Sequence, residues 1–306
     1  MWYLSKPTQE TLEWYKEQFL AEIVSDIKNS SIKKSVKEIL LPKGADVIIE
    51  SLLIASPDIL YPLNERLERE IASKGTKQAA MKKIRKAFNY DGRISRNRQV
   101  SYDLAKKIGR RTCVYCNRIY SFTVDEVSRP DFDHWLSKEK HPLLSMSFYN
   151  LIPSCPICNR GIKLRNEFKY GKHVHPYNYT EEMSIVFRYT PLPENKWKLT
   201  LANGTPEEKA TADLLKIEEI YKPYADNEVK DLLEFAYKNS PEYLMTLHNQ
   251  VMMAYGGMIN KEQAYRLVFG VEMRASLYLD RPLSKMKKDV LNQLQTSLGI
   301  DIIDFD

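Results

Sequence analysis

Apolar residues recur at three- and four-residue steps through the first hundred positions: Leu12, Tyr15, Phe19, Ile23 and Ile27 share one face of a helix. Ser56-Pro57 reads as an N-cap followed by proline in a first helical turn. Further on the period changes to two. "SIVFRY" (184–189) and "KWKLTL" (196–201) alternate around "TPLPEN" and predict a β-hairpin. In the middle of the chain "RIYSFTV" (118–124) and "RPDFDHW" (129–135) predict another, each as one strand of the pair. Thr205-Pro206 with Glu208 has the form of a capping box opening a helix. Leu283, Met286, Val290, Leu294 and Leu298 return to helical spacing near the end. Asn203-Gly204, Asn239-Ser240-Pro241 and Gly256-Gly257 punctuate this second half as turns.

The totals add class and size to this pattern. At 306 residues, 43% hydrophobic and 28% charged, the chain has the composition of a folded globular protein with two or three structural units. Its most apolar stretch, "DVIIESLLIA" (46–55), is too short and too charged to span a membrane, so no membrane association is expected. The first residues lack the pattern of a secretory signal, which makes the cytoplasm the expected compartment.

Charge is segregated. From Lys74 to Arg118 there are 14 Lys and Arg against Asp91 and Asp103, a net +12; the whole chain carries +6, so the remainder sums to about −6. Lys82, Lys83, Arg85, Lys86, Arg93, Arg96, Arg98, Lys106, Lys107, Arg110 and Arg111 are the residues expected to meet the phosphates of a nucleic acid. The competing reading is a solvated helix face.

All four cysteines fall in two identically spaced pairs, Cys113 and Cys116 in "CVYC" and Cys155 and Cys158 in "CPIC". In a reducing compartment such pairs are metal ligands before they are disulfides, and four thiolates close one tetrahedral structural zinc site. A redox role for the thiols is the weaker alternative. The 38 residues between the pairs exceed the gap of an ordinary zinc ribbon. They hold Asp133, His134 and Asn150, and Asn159 follows the last cysteine.

These residue types suit metal-assisted phosphodiester hydrolysis. A histidine with an ordinary pKa of about 6.5 can take a proton from water, the role expected of His134. Magnesium or manganese takes oxygen ligands, here Asp133 and Asn159. Asn150 is expected to hydrogen-bond the backbone around the base and fix its direction. Arg160 and Lys163 follow closely and are candidates for contact with the scissile phosphate, or for a solvent-facing role. His141, followed by proline, is expected in a turn, and His173 and His175 lack a third metal ligand nearby.

The order "DH…N…CN" between paired Cys-x-x-Cys knuckles resembles the HNH endonuclease family, the ββα-metal nucleases, in its zinc-stapled form. The longer stretch "DHWLSKEKHPLLSMSFYNLIPSCPICN" is similar to bacterial HNH nucleases of Septu-type phage-defence systems and their stand-alone relatives. "LKIEEIYKPYADNEVKDLL" and "RPLSKMKKDVLNQLQ" also resemble the latter. "NRG" (159–161) is similar to the HNH domains of CRISPR effectors. Two departures are Trp135, where a smaller aromatic is more usual, and Lys163, four rather than three residues beyond Asn159.

The resemblance implies a mixed α+β, mainly helical chain. Its centre would be a ββα-metal (HNH) core with a four-cysteine zinc site, flanked by helical N- and C-terminal regions. The expected boundaries are a helical region over 1–100, basic toward its end, an HNH domain with zinc knuckles over 101–178, and a hairpin plus helices over 179–306. The implied activity is hydrolysis of nucleic acid, DNA favoured, leaving 5′-phosphate and 3′-hydroxyl ends. The implied setting is anti-phage defence, with an ATPase or other regulatory protein as partner. The alternative from another class is a catalytically silent, zinc-stapled nucleic-acid-binding subunit.

Overall fold

The structure is a computed structural model, and it describes residues 2–75, 77–163, 166–179, 183–194, 196–238, 241–256 and 258–298. The turn residues Asn239, Ser240 and Gly257 lie outside these. The chain is mainly helical and divides into two compact units, one made of 2–110 with 121–179, the other of 111–120 with the chain from 180 on.

The first unit begins with α1 (Gln9–Asn29), α2 (Lys34–Leu40), α3 (Val47–Ile54), α4 (Pro57–Ser73), α5 (Lys77–Phe88) and α6 (Arg98–Ile108). Thr8 caps α1 by accepting from the Thr11 amide, and Tyr15, Phe19, Ile23 and Ile27 are its buried stripe, as their spacing predicts. Ser56 stands at the N-cap of α4 with Pro57 behind it, though its hydroxyl makes no capping bond. A π-helical turn, Asp91–Ser95, joins α5 to α6, and Gly109 ends α6 at φ +67°, a left-handed conformation that glycine adopts without strain.

The same unit holds a two-stranded antiparallel sheet, β1 (Asp131–His134) with β2 (Leu151–Ser154), in the register Asp131↔Ser154 to His134↔Leu151. This corrects the expected partner of "RPDFDHW". Residues 118–124 form no strand; they contribute only the isolated bridges Thr112↔Tyr120 and Val124↔Ser128. The cause is local. The amides of Val127 and Ser128 both return to the Val124 carbonyl, closing a tight turn, and Phe122, Val124 and Val127 face outward, so their alternation has no core to bury. β1 and β2 are instead buried almost throughout, and a strand covered on both faces need not alternate. Between them, residues 135–150 form a long loop, and after β2 comes a π-helical segment, Ile157–Ile162.

The loop is fixed by the helices. Tyr15 of α1 donates to the Met146 carbonyl at 2.9 Å, and Phe148 packs edge-on to its ring with centroids 5.3 Å apart. Trp135 is fully buried, stacked on Phe168 at 5.2 Å. Tyr61 of α4 shares a 2.8 Å hydrogen bond with His175 Nε2.

The second unit contains the antiparallel pair β3 (Ile185–Leu192) and β4 (Lys196–Asn203) where alternation predicts it. It continues through α7 (Pro206–Leu214), α8 (Ile217–Tyr221), α9 (Glu228–Lys238), α10 (Pro241–Ala254), α11 (Lys261–Phe269) and α12 (Ser284–Leu298). The Thr205–Glu208 capping box is present. Asp289 of α12 accepts from the Phe187 amide at 2.8 Å, tying helix to hairpin. Among the described residues no helix is long and apolar enough to cross a membrane.

Candidate functional site

Asp131, Asp133 and His134 come from β1, and Asn159, Arg160 and Lys163 from the helical segment after β2 and the residue that follows it. All six line one open cleft of about 840 Å³, joined by Tyr90 and Asp91 beside the Asp91–Ser95 turn and by residues 137–140 of the long loop.

His134 is buried at the end of β1, with Nε2 3.0 Å from the Ser145 carbonyl. A carbonyl only accepts, so Nε2 carries the proton and Nδ1 is left as the acceptor. The ring meets the Tyr90 ring edge-on at 4.3 Å. Burial pushes the imidazole pKa down to about 3, with Lys138 and Lys163 pressing the same way against the Ser145 hydrogen bond. The ring is therefore neutral at pH 7.

Asn150 lines no part of the cleft wall and is fully buried. Its Oδ1 accepts from the Leu136 amide at 2.8 Å, while Nδ2 donates to the carbonyls of Leu136 (2.9 Å) and Leu144 (3.1 Å). One amide thus closes the long loop across its two ends, directly behind His134 and directly before Ser145.

The acidic residues are each engaged. Lys163, buried like Asp133, donates to the Asp133 carboxylate and to the His134 carbonyl. Its own burial lowers its pKa, opposed by the Asp133 charge. Asp131 accepts two bonds of 2.9 Å from the Arg160 guanidinium and one of 3.3 Å from Asn159 Nδ2, which leaves the Asn159 oxygen as an acceptor. Sequence reasoning missed Asp131 as a member of this site; its position two residues before Asp133 on a strand was the available signal, because residues i and i+2 share a face. It also missed Lys138 and Lys140 on the cleft wall, which pair with Asp91 and Glu167 at 2.6 Å each.

The donor set suits a hard cation. Two carboxylates, an amide oxygen and a main-chain carbonyl meet in one cleft, and a Lys163 ammonium already bridges two of those oxygens. The cysteines fit a softer one. All four are buried and their ligand atoms lie within 4.8 Å of one another, against about 3.8 Å between sulfurs on a tetrahedral zinc with bonds of about 2.3 Å. Each knuckle is a backbone turn: Asn117 N–H returns to the Cys113 carbonyl at 2.8 Å, and Asn159 N–H to that of Cys155 at 3.0 Å. The second knuckle therefore also orients Asn159. Such a cluster could bind a metal such as zinc, with every ligand from protein.

The basic residues of 74–118 are spread over several elements. Arg93 is turned onto α1, ion-paired with Glu22 (2.9 Å) and Asp26 (2.6 Å). Arg85 meets Glu139 at 3.2 Å and Lys106 meets Asp125 at 2.7 Å. Lys83 donates to the Ser31 carbonyl, Arg96 to that of Asp91, Arg98 to that of Glu126, and Arg110 to the Ser5 hydroxyl. Lys107 lies 5.0 Å over the Trp14 ring, and Lys82, Lys86 and Arg111 are exposed. Of the other histidines, His141 donates to Glu68 and His173 accepts from the Lys169 amide, each at 2.9 Å. No protein-family model, curated protein or solved structure matches the chain.

Proposed function

We propose that this protein is a metal-dependent HNH-type endonuclease that hydrolyses nucleic-acid phosphodiesters, DNA by preference. The observation that carries the reading is the tautomer of His134. Its Nε2 proton is held by a main-chain carbonyl inside a loop locked by Asn150, so its Nδ1 lone pair is the free end of a fixed ring lining an oxygen-rich cleft. A neutral imidazole held this way can accept a proton from an attacking water without having to find its rotamer first, but burial makes it a weak base, so a bound metal would have to acidify that water.

Asp133 and Asn159 would hold the magnesium or manganese ion. When bound, the metal supplies charge for the phosphate and the departing oxygen. Lys163 would shift from Asp133 or remain beside it as a second positive charge. The strand, loop, strand and helical segment from 131 to 162 then correspond to the ββα-metal core, with the four cysteines as its zinc staple. A role in anti-phage defence with an ATPase partner extends the same reading from the family resemblance.

A second reading draws on the Lys163–Asp133 ion pair, buried on both sides. If that ammonium is permanent, the cleft binds nucleic acid without cutting it, as a silent subunit would. Supercoiled plasmid with magnesium or manganese separates the two. The wild type should nick and linearise it only with metal, and His134→Ala should lose about 10²–10⁴-fold in rate with zinc content and melting temperature retained. Equal cutting by both proteins would remove His134 from the chemistry; tight plasmid binding without cutting would select the silent subunit.

A further inference from the structure

Ser95, Arg129 and Asp131 line the cleft described above and also a second one, of about 440 Å³, whose other walls include Arg98, Tyr102, Val127 and Ser128. The two depressions share that wall. The second lies within the ~300–1,000 Å³ of ordinary ligand sites.

Charge distinguishes them. Of the cations lining the first cleft, four already have a carboxylate, Lys138 with Asp91, Lys140 with Glu167, Arg160 with Asp131 and Lys163 with Asp133; the fifth, Arg129, stands on the shared wall. In the second, Arg98 donates to the Glu126 carbonyl, and Arg129 to those of Pro130 (2.9 Å) and Ser95 (3.4 Å). Among the described residues neither guanidinium forms an ion pair. A carbonyl orients a guanidinium but cancels none of its charge, so Arg98 and Arg129 bring theirs to the second cleft, where the lining carboxylate, Asp131, is already paired with Arg160. Arg98 and Tyr102 are four residues apart on α6 and so share a helix face, while Val127 is 77% exposed opposite. A phosphate, a sugar and a base ask for this combination of fixed cation, aromatic face and apolar edge.

We propose that the Arg98–Arg129 cleft seats the nucleotide flanking the scissile phosphate on the substrate strand, with the two arginines on its phosphates and Tyr102 and Val127 against its sugar and base. The position of the scissile phosphate rests on the endonuclease reading; the binding does not require cleavage.

The test is anisotropy of a short fluorescein-labelled DNA strand over a range of salt, without added divalent metal, on wild type, Arg98→Gln and Arg98→Lys. Arg98→Gln should reduce the slope of log affinity against log salt by about 0.7, the value for one phosphate contact on a single strand, and Arg98→Lys should keep it. A purely structural role for Arg98 would change the melting temperature and leave the slope alone. A slope unchanged in Arg98→Gln overturns the proposal. Hydrolysis rates give the second arm, because bis(p-nitrophenyl) phosphate is small enough for the first cleft alone. Arg98→Gln should lose about tenfold more on the DNA strand than on this small diester, and equal losses also count against the subsite. If the wild type hydrolyses neither, the endonuclease reading falls and the salt slope still decides the cleft.

Discussion

Asn150 shows what one residue can fix. Replacing it with alanine takes their Asn150 bonds from the Leu136 amide and carbonyl and leaves the Leu144 carbonyl with the Ser147 amide alone, which costs about 2 kcal/mol or more. Chemical denaturation of Asn150→Ala should register that loss, and a change below about 0.5 kcal/mol would mean the loop closes by other means. Asn150→Asp should be destabilised too, since a carboxylate can accept from Leu136 but cannot donate to two carbonyls. Lys163 makes a sharper case. Lys163→Met removes the buried ammonium that pairs with the buried Asp133 carboxylate, a cost of about 3–5 kcal/mol. If the cleft takes a divalent cation at Asp133, millimolar magnesium should raise the melting temperature of Lys163→Met more than that of the wild type. Equal shifts would argue against metal at that carboxylate. The residues gathered here were legible as types and spacings around "DFDH" and "CPICN". That Lys163 would be buried on Asp133, rather than free for phosphate, was not legible, because it depends on how the helical segment turns after Asn159.

At the scale of elements, the long loop is tied to α4 by a cluster that sequence reading assigned no chemistry. Glu68 accepts from His141 (2.9 Å), Asn64 (3.1 Å) and Lys77 (2.8 Å). Burial alone would raise its carboxyl; the bonds from His141 and Lys77 outweigh this and hold it down to about 2, from an ordinary 4.5. A depressed folded-state pKa stabilises above the unfolded value and loses that contribution as pH falls, so the link should weaken between about pH 4.5 and 2. It is worth about 1–2 kcal/mol at neutral pH once partial exposure is allowed for. Glu68→Gln should lower stability at pH 7 and flatten its pH dependence in that acid window; an unaltered acid-unfolding curve would show that the cluster carries no such linkage. Which elements form was more legible than which elements pair. The α1 stripe, the β3–β4 hairpin and the Thr205 capping box follow from local periodicity and local hydrogen bonds. The β1–β2 pairing joins segments separated by a sixteen-residue loop and covered on both faces, so neither alternation nor a short turn announced it. The alternation in 118–124 was real but faced solvent.

At the scale of the whole molecule, the four cysteines are two turns with 38 residues between them whose sulfurs lie within 4.8 Å of one another. Four buried thiols held that close repel one another once ionised, and the thiolates are the form that oxidises, so a cation at their centre would both neutralise and protect them. Freshly purified protein should therefore contain one zinc per chain by elemental analysis. Cys113→Ser or Cys155→Ser should bring the content well below one and lower the melting temperature by several degrees. Stripping the metal should have the same effect, and restoring zinc should reverse it unless the thiols have oxidised in the meantime. Because thiolates must be deprotonated to bind, the stability supplied by zinc is lost as pH falls, and the chelated protein should show the weaker acid dependence. Zinc-free protein with four titratable thiols and an unchanged melting curve would overturn the staple. The positive stretch from 74 to 118 would then be the more important organiser, since it runs into the first knuckle and carries twice the net charge of the chain. With zinc present and His134→Ala inactive, the two metals would have separate work, zinc holding the backbone turn that positions Asn159 and the other acting at Asp133.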